Sequence, residues 1–484
     1  MPHRICYVTA EFSPLAKAGG LGDAAGALAR TLDARGHDVR VFLPAYRSAL
    51  ARIVRRWPVE FLQRIPIVLG HHRYEVSISH AEVPESRLQV YLVECPELYD
   101  RPSLYSSGPD EHRRFLVLTR AAIEACQRMA FAPEIVHCHD WHTGLLPLYL
   151  KSVYAWDRLF RTTRTVFTIH NLGYQGHIGA DHVADLGLGP AVDMLDRQDL
   201  VAGHINVMKQ AIRYADLVTT VSPGYAREIA TPEQGMGLDG VIRSRGAGVV
   251  GILNGIDVHE WNPETDRYLP EHYTLRRLHG KRLVKKALAR RVGVRLDRST
   301  PLIGMVSRLV VQKGIDLLIG ALPPLLAAHD AALVVLGNGD ERFEEFFHDL
   351  ARTLPGRVAF ERGYSEELAH WIEAGCDMFL MPSLYEPCGL NQMYSLRYGT
   401  VPIVRRTGGL ADSVRNFDET TGDGTGIVFE HYDVNGVSWA IHRALDLFRD
   451  RTAWNRLRRN GMRQDFSWEN QCGLYEAEYA RLLS

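Results

Sequence analysis

The first informative property of this 484-residue sequence is what it lacks. No Cys-x-x-Cys pair occurs, and the seven cysteines are scattered. A disulfide framework or a structural zinc knuckle needs paired or closely spaced cysteines, so both are disfavoured. An excess of one charge is also missing, because 56 Lys and Arg residues offset 57 Asp and Glu residues. The net charge of -1 argues against a general nucleic-acid coat, which requires a basic field.

Long apolar runs are absent as well. The run from Ile5 to Ala10 is interrupted by Glu11, which leaves it too short for a signal peptide. The longest apolar region, Gly314 to Gly337, contains prolines and charged residues. It cannot span a bilayer, which takes about 20 mostly apolar residues. We therefore expect a reduced, soluble, cytoplasmic protein with no membrane and no nucleic-acid partner.

What the sequence does contain is a regular alternation of short apolar runs and longer amphipathic stretches. The runs are rich in β-branched residues and have the length of strands buried on both faces. One series extends from Arg4–Thr9 to Val249–Leu253, and a second extends from Leu302–Val306 to Gly426–Phe429. Two such series predict an α/β protein with two doubly wound, Rossmann-like domains built on parallel sheets.

The domain boundary is expected in the polar stretch between the two series. We place the first domain at residues 1–262 and the second at residues 263–463. The last segment, residues 464–484, has a helical pattern and is expected to pack back on the first domain. Residues Val59 to Asp100 alternate like β-hairpins and are interpreted as an insertion in the first domain.

A glycine motif occurs twice. Lys17-Ala-Gly-Gly-Leu-Gly-Asp23 resembles Arg406-Thr-Gly-Gly-Leu-Ala-Asp412. Two glycines before a helix let backbone N–H groups approach a ligand, and the helix N-terminus favours an anion. A dinucleotide fingerprint is rejected, because Ala10 to Ala18 separates the first glycines from their strand. Two ordinary glycine loops remain the alternative.

Polar side chains follow several of the predicted strands. Residues 137–142 hold three histidines and Asp140, which could be a zinc site, but no further helical histidine pair lies nearby. His170 and Asn171 end the next strand, and Asn254 ends a later one. Because α/β sheets bind ligands at the carboxyl ends of their strands, a polar cluster for a polyhydroxylated ligand is favoured over zinc. Loop-capping side chains are the alternative for each residue alone.

Two cations follow the first strand of the second series. Arg308 can bind phosphate oxygens with two hydrogen bonds, and Lys313 lies just before a helix that starts at Ile315. A lysine at a helix start is unfavourable unless an anion neutralises it, which favours a phosphate site over a solvated charge. The Walker motif is absent.

A carboxylate stands in a constrained turn further along. Glu386 precedes Pro387 and Gly389, at the entry to a helix from Leu390 onward. The N–H groups of residues 389–391 are free at such a helix start, so a carboxylate aimed at the crevice is a site arrangement. The alternative is a carboxylate that merely complements the helix dipole.

Together these motifs resemble those of the bacterial glycogen synthase family, which is similar to plant starch synthases. The matching pieces are Lys17-Ala-Gly-Gly-Leu, His139-Asp-Trp-His142, Thr168-Ile-His-Asn171, Gly251-Ile-Leu-Asn-Gly-Ile-Asp257, Ser307-Arg-Leu309, Gln312-Lys-Gly314, Pro382 to Gln392 and Arg405 to Asp412. The resemblance implies two Rossmann-like domains facing across a cleft that holds the active site (the GT-B type). It also implies transfer of glucose from ADP-glucose to the non-reducing end of an α-1,4-glucan such as glycogen, with retained anomeric configuration.

The resemblance assigns roles to particular residues. The implied catalytic residues are Asp140, His170 and Glu386. The implied substrate-binding residues are Lys17, Gly19, Gly20, Asn171, Asn254, Arg308, Lys313, Tyr364, Cys388, Gly389, Leu390, Asn391, Thr407, Gly408 and Gly409. Among these, Lys17, Arg308 and Lys313 would hold the diphosphate, and Tyr364 would stack on the base. The motif departs from the commoner family pattern at Ala18 and Asn391, where threonine is usual.

The residues also bear on metal use. Loss of a nucleoside diphosphate develops negative charge, which a metal or fixed cations must neutralise. No Asp-x-Asp pair occurs to hold a divalent ion, whereas three candidate cations do occur. We therefore expect no metal and no cofactor. The alternatives are a transferase of the same fold that uses UDP-glucose or a small acceptor, and a non-catalytic glucan-binding relative.

Overall fold

The structure is a computed structural model that describes residues 2–53, 55–83, 86–246, 248–297 and 299–484. The strands are β1 (Arg4–Val8), β2 (Asp38–Pro44), β3 (Arg56–Pro58), β4 (Ile65–Leu69), β5 (His72–Ala81), β6 (Gln89–Glu94), β7 (Ile135–His139), β8 (Arg164–Ile169), β9 (His177–Gly179), β10 (His204–Asn206), β11 (Leu217–Thr220), β12 (Val250–Gly251), β13 (Leu302–Leu309), β14 (Ala332–Gly339), β15 (Val358–Arg362), β16 (Met378–Met381), β17 (Val401–Arg405) and β18 (Ile427–Phe429).

The helices alternate with these strands. They are α1 (Gly20–Ala34), α2 (Arg47–Leu50), α3 (Pro96–Tyr99), α4 (Glu111–Arg128), α5 (Leu146–Lys151), α6 (Arg197–Val201), α7 (Val207–Tyr214), α8 (Pro223–Glu228), α9 (Asp239–Arg243), α10 (His279–Arg291), α11 (Ile315–Ala328), α12 (Glu341–Thr353), α13 (Glu366–Gly375), α14 (Asn391–Tyr398), α15 (Gly408–Ser413), α16 (Val434–Arg449), α17 (Arg451–Met462) and α18 (Trp468–Leu483). Short 3-10 turns occupy Glu60–Leu62, Trp141–Thr143, Arg158–Phe160, Ala180–Leu186, Gly189–Met194 and Val311–Lys313.

The chain divides into two compact units. Unit 1 contains the residues up to Val221, together with Ala226–Ile252 and Trp468–Ser484. Unit 2 contains Ser222–Tyr225 and Leu253–Ser467. Each unit has its own sheet and its own core, and each is described by itself below.

Unit 1 is built on a sheet with the strand order β12-β11-β8-β7-β1-β2-β6-β5-β3, and β4 pairs with β5. The pairs from β12 to β6 are parallel. The chain leaves β1 toward β2 and β6 on one side, and β7 and β8 lie on the other. The strand order therefore reverses between β1 and β7, which is where open α/β sheets form their ligand crevice.

The segment predicted as a hairpin insertion has a mixed outcome. Strands β4 and β5 do pair antiparallel, as a hairpin should. Strand β6 also pairs antiparallel with β5, with Val93 beside Ile78, but on its other side it pairs parallel with β2, with Val90 beside Val41, so it belongs to the main parallel sheet. The interpretation of the whole segment as an insertion was wrong for β6. Its four central residues are all buried, as in a strand covered on both faces, whereas β5 shows the alternation that the sequence pattern emphasised.

Unit 2 carries a six-stranded sheet with the order β15-β14-β13-β16-β17-β18. Every pair is parallel. Its main core joins strand residues such as Ile303 and Val335 to Leu318 of α11 and Ile441 of α16. Here the order reverses between β13 and β16. The predicted fold class, α/β with two doubly wound parallel sheets, is confirmed.

The last helix, α18, belongs to unit 1. Its Tyr479 is fully buried, and the hydroxyl lies 2.7 Å from Nδ1 of His137 in β7. Its Glu476 accepts a hydrogen bond from Arg35, just after α1. A separate finding concerns membranes: across the described part of the chain, no helix is both long enough and apolar enough to cross one.

Candidate active site

In unit 1, two loops flank the point where the strand order reverses. The Lys17 loop follows β1, and Asp140 directly follows β7. Because β1 and β7 are neighbours in register, with Ile5 beside Ile135, both loops leave the same edge of the sheet. The topology thus brings two of the predicted motifs to one crevice.

Asp140 is the most constrained residue of this crevice. Its φ is +53°, in the region that side-chain-bearing residues rarely adopt, and such strain concentrates at functional sites. Its Oδ1 accepts a hydrogen bond from the N–H of His170 at 2.7 Å, with the N–H of Asn171 at 3.4 Å. Burial raises the pKa of Asp140 to about 7, although these N–H groups oppose the rise. The carboxyl group can therefore change its charge near neutral pH.

The histidines behind Asp140 are neutral. Nδ1 of His139 lies 3.0 Å from Nε2 of His170, and the rings of His137 and His139 stack at 4.3 Å. Burial lowers the pKa of His170 and of His137 to about 3. The rings consequently act as uncharged hydrogen-bonding groups.

Metal-ligand spacing occurs elsewhere in the described residues. The two groups with donor atoms within 4.8 Å are His112-His182-Asp185 and Glu260-Glu366-His370. Neither contains a residue from the 137–142 segment. In the first group, Nε of Arg113 already donates to Oδ2 of Asp185 at 2.7 Å, so the guanidinium occupies the oxygen that a metal ion would need.

Glu11 was not predicted as a site residue, yet it organises the glycine loop. It is only 4% exposed, and its Oε2 accepts hydrogen bonds from the N–H groups of Ala18 at 2.7 Å and Gly19 at 3.0 Å. Its Oε1 accepts from the Tyr105 hydroxyl at 2.6 Å. Burial raises the pKa of Glu11, and these donors oppose the rise. A carboxylate three residues after a buried strand and shortly before a Gly-Gly pair was the available signal.

The Lys17 loop has open space beside the two glycines that were predicted to approach a ligand. Gly19 is the residue before α1, and Gly20 is the first residue of that helix. A methyl group added at either position would meet no atom within 4 Å, so space for a ligand borders both. Lys17 forms an ion pair of 2.9 Å with Asp23 in the first turn of α1.

In unit 2, the loops after β13 and β16 meet in one ion pair. Nζ of Lys313 lies 2.6 Å from Oε2 of Glu386, which also accepts a hydrogen bond from the Ser383 hydroxyl at 3.1 Å. Glu386 is only 5% exposed. The structure therefore joins the predicted phosphate cation directly to the predicted sugar-binding carboxylate.

The two loops are held together by close backbone packing. Gly314 has a φ of +73°, and a methyl group there would lie 2.0 Å from the carbonyl oxygen of Pro382. The N–H of Leu384 donates to the carbonyl oxygen of Gln312 at 2.9 Å. Only glycine fits at position 314, so the ion pair rests on a rigid support.

Arg308 lies near the end of β13, which is longer than the predicted strand, and precedes the loop that carries Lys313. Its side chain is exposed, and Nη2 reaches Oε1 of Gln312 at 3.5 Å. An exposed guanidinium at the carboxyl end of the central strand is available to an anionic ligand.

The predicted glycines of the next two loops pack on each other. A methyl group at Gly409 would lie 2.1 Å from the carbonyl oxygen of Cys388, and the N–H of Gly409 donates to the carbonyl oxygen of Glu386 at 3.0 Å. The N–H of Asn254 reaches the Cys388 thiol, whose pKa is raised by burial. These contacts bring four predicted residues together within unit 2.

The remaining predicted residues are placed as follows. Thr407 precedes α15, and Gly408 is the first residue of that helix. Gly389 has a φ of +70° and is followed by Leu390, the residue before α14.

Three side chains have local or peripheral positions. Nδ2 of Asn391 donates to the carbonyl oxygen of Val306 at 2.8 Å, which ties α14 to β13. Oδ1 of Asn171 accepts from the N–H of Gly173 at 2.9 Å, as in a loop-capping turn. Tyr364 follows β15, two strands from β13, and is 62% exposed.

Comparisons with known proteins agree with this geometry. Residues 4–244 match the family described as the starch synthase catalytic domain, and residues 290–461 match glycosyl transferases group 1. A curated glycogen synthase of Anaeromyxobacter dehalogenans (strain 2CP-C) is 46% identical over 484 residues, with 99% of each chain covered. The chain belongs to the glycogen and starch synthase family. It is a glycosyltransferase, as the sequence motifs predicted.

Other members of the glycogen and starch synthase family extend the likeness. A glycogen synthase of Cellvibrio japonicus (strain Ueda107) is 44% identical over 493 residues, with 100% of each chain covered. The catalytic domain of starch synthase IV from Arabidopsis thaliana, in a structure bound to ADP and acarbose, is 34% identical. It superposes with a TM-score of 0.92 and covers 100% of both chains. The two-domain GT-B fold of this family is thereby confirmed for the chain.

Proposed function

We propose that this glycosyltransferase moves glucose from ADP-glucose to the non-reducing end of an α-1,4-glucan, with retention of configuration and without a metal. The observation that carries the proposal is the Lys313–Glu386 ion pair, which joins the loops after β13 and β16 where the strand order of unit 2 reverses. The glycogen synthase relatives, and the starch synthase IV structure with ADP and acarbose, support the choice of donor and acceptor.

The cations of unit 2 are assigned to the leaving group. As the bond between the sugar and the phosphate breaks, negative charge grows on the departing ADP. Arg308 would take phosphate oxygens with two hydrogen bonds, and Lys313 would add a point charge. The N–H groups of residues 389–391 at the start of α14 add donors that no helical carbonyl uses.

The carboxylate of Glu386 is assigned to the sugar. A glucosyl group that leaves phosphate passes through a cation-like transition state. A carboxylate held within a few ångströms can stabilise that charge and accept hydrogen bonds from sugar hydroxyls. The ion pair keeps the Glu386 side chain aimed, since Nζ of Lys313 donates to its Oε2. Asn254 is assigned to the same sugar.

Unit 1 is assigned to the glucan and to part of the donor. Asp140 would lie at the catalytic centre near the acceptor hydroxyl, and His170 would hydrogen-bond the transferred glucose. Lys17, Gly19 and Gly20 would contribute to the diphosphate. The exposed ring of Tyr364 would stack on the adenine.

Purified enzyme incubated with glycogen and either ADP-glucose or UDP-glucose tests the donor and the acceptor. We expect nucleotide release with ADP-glucose and glycogen, and little release when glucose replaces glycogen. Digestion of the labelled product by an exo-enzyme specific for α-1,4 bonds checks linkage and configuration. Release only from UDP-glucose, or only with a small acceptor, would move the function to another member of the fold class. Saturable glycogen binding without any release would indicate a non-catalytic relative.

A further inference from the structure

The imidazole rings of His139 and His170 share one hydrogen bond. His139 ends β7, His170 directly follows β8, and Nδ1 of the first lies 3.0 Å from Nε2 of the second. His139 is 1% exposed, whereas His170 is partly exposed. The other ring nitrogen of His139, Nε2, is buried and has no hydrogen-bond partner among the described residues.

Only one of the two rings can donate this hydrogen bond. A neutral imidazole has one N–H donor and one acceptor nitrogen. If His170 donates from Nε2, then His139 must carry its own proton on the buried Nε2, where nothing accepts it. If His139 donates from Nδ1, the buried Nε2 keeps a lone pair instead. Orphaned buried N–H groups are rarer than orphaned acceptors, so the second arrangement is favoured.

We propose that His139 is a positioning residue that donates from Nδ1 to Nε2 of His170 and so holds the proton of His170 on Nδ1. His170 then offers an N–H donor to an oxygen of the transferred sugar and cannot offer a lone pair. The functional half of this inference rests on the proposed contact between His170 and the sugar. The tautomer itself is a property of the unliganded protein.

The surroundings of His139 keep its ring in place. The backbone N–H of His139 donates to the Thr143 hydroxyl at 2.7 Å, and that hydroxyl lies 3.0 Å from the backbone carbonyl oxygen of His139. The ring packs against those of Tyr7, at 4.4 Å, and His137, at 4.3 Å. These contacts hold the buried ring in one orientation, so the hydrogen bond that it makes decides the tautomer of its neighbour.

His137 provides a matched control on the same strand. Its nitrogens lie 2.7 Å from the hydroxyls of Tyr479 and Thr168, and no described hydrogen bond joins it to His170. His137→Phe keeps a ring against His139 and removes only these other bonds. We expect it to lower the melting temperature while the tautomer of His170 stays unchanged.

Nitrogen NMR of protein labelled in its histidine rings measures the tautomer directly, without substrate. The His170 signals are assigned by their loss in His170→Asn. We expect Nδ1 to be protonated in the parent, in His137→Phe and in His139→Asn, whose amide can still donate. We expect His139→Leu, which has no donor, to show a mixed or reversed tautomer. A parent protein with its His170 proton on Nε2 would overturn the inference.

Kinetics with monodeoxy analogues of the sugar donor test the consequence. We expect His139→Leu to lower kcat/KM by about tenfold and His139→Asn to recover it to within about threefold. For the analogue that lacks the hydroxyl contacted by His170, neither His139→Leu nor His170→Asn should lower kcat/KM relative to the parent enzyme. If His170→Asn is penalised equally with every analogue, the proposed sugar contact is wrong, and the NMR result still decides the tautomer. If His139→Asn is as slow as His139→Leu, donation by His139 is contradicted.

Discussion

Lys313 and Glu386 are joined by an ion pair of 2.6 Å between Nζ and Oε2, although 73 residues separate them in the chain. The side chain of Glu386 is 6% exposed and that of Lys313 is 20% exposed. Two charges withdrawn from water to this extent stabilise each other only while both are present. The pair therefore makes the phosphate cation and the sugar carboxylate one unit, and a change in either is felt by the other.

The first prediction concerns this pair. We expect Glu386→Gln to reduce kcat by a hundredfold or more while the dissociation constant for the donor changes by a few-fold at most, because the amide keeps hydrogen bonding and loses charge. Glu386→Asp should also be slow, because its shorter side chain misplaces the carboxylate. Steady-state kinetics and calorimetric donor binding measure both quantities. Glu430→Gln is the matched control, since Glu430 is an exposed partner of Arg406. Turnover of Glu386→Gln within a few-fold of the parent would remove Glu386 from the catalytic set.

The second prediction concerns the phosphate cations. Arg308→Ala and Lys313→Ala should each lower kcat/KM by a hundredfold or more, on the order of 3 kcal/mol of transition-state stabilisation. Arg352→Ala is the control, because Arg352 is an exposed arginine paired only with Asp349 in the described contacts. Lys313→Ala should additionally lower the melting temperature, since it leaves the Glu386 carboxylate without its counter-ion. Near-normal kinetics in a folded variant would show that the residue is an ordinary surface charge and does not bind the phosphates.

The third prediction uses the pKa of Asp140, which burial raises to about 7. A buried carboxyl group resists ionisation, so the native state loses stability as the pH rises from about 4, its unfolded pKa, to about 7. Asp140→Asn removes this loss and keeps an oxygen for the N–H groups of His170 and Asn171. We expect the variant to be nearly inactive, yet more stable than the parent at about pH 8, by up to about 4 kcal/mol. Urea unfolding at about pH 5 and pH 8 checks the difference, and a variant less stable than the parent at both values would contradict it.

The fourth prediction concerns His370 in unit 2. Burial alone would lower its pKa, but the hydrogen bond with Asp266 at 2.8 Å and the Glu366 carboxylate 3.7 Å away outweigh burial and raise the pKa to about 9. The folded pKa thus exceeds the unfolded value of about 6.5, so the stabilisation is complete below about pH 6.5 and is lost as the pH rises through about 9. The full effect is on the order of 3 kcal/mol. Urea unfolding across this range should show the decline in the parent and a flatter profile in Asp266→Asn. Parallel profiles in the two proteins would contradict the assignment.

The fifth prediction concerns metals. Three candidate cations and two glycine-rich helix starts can neutralise the leaving group, and the sequence holds no Asp-x-Asp pair. We expect transfer in excess EDTA to stay within about twofold of the untreated rate. Loss of all transfer, restored by added magnesium or manganese, would show that a metal takes part.

The sequence by itself determined the fold class and the family. The first and last predicted runs of the two series, Arg4–Thr9, Val249–Leu253, Leu302–Val306 and Gly426–Phe429, appear as strands β1, β12, β13 and β18 with shifts of one to three residues at their ends. Such strands can be predicted from the sequence because burial on both faces requires a continuous apolar segment, which is a local property. The motifs at the strand ends could also be recognised, because they too are local: glycine and charged residues at fixed spacing identify the family.

Only the tertiary structure decided which of these residues touch. The partners Lys313 and Glu386, and likewise His139 and His170, lie at or after the ends of neighbouring strands, 73 and 31 residues apart in the chain. Their contact depends on the order of strands in each sheet and on backbone packing such as that of Gly314 against Pro382. Glu11 appeared in the sequence only as a break in an apolar run, because two of its partners are backbone N–H groups and the third, Tyr105, lies 94 residues away in the chain. Strand β6 was assigned to an insertion because parallel pairing is settled by a distant neighbour, β2.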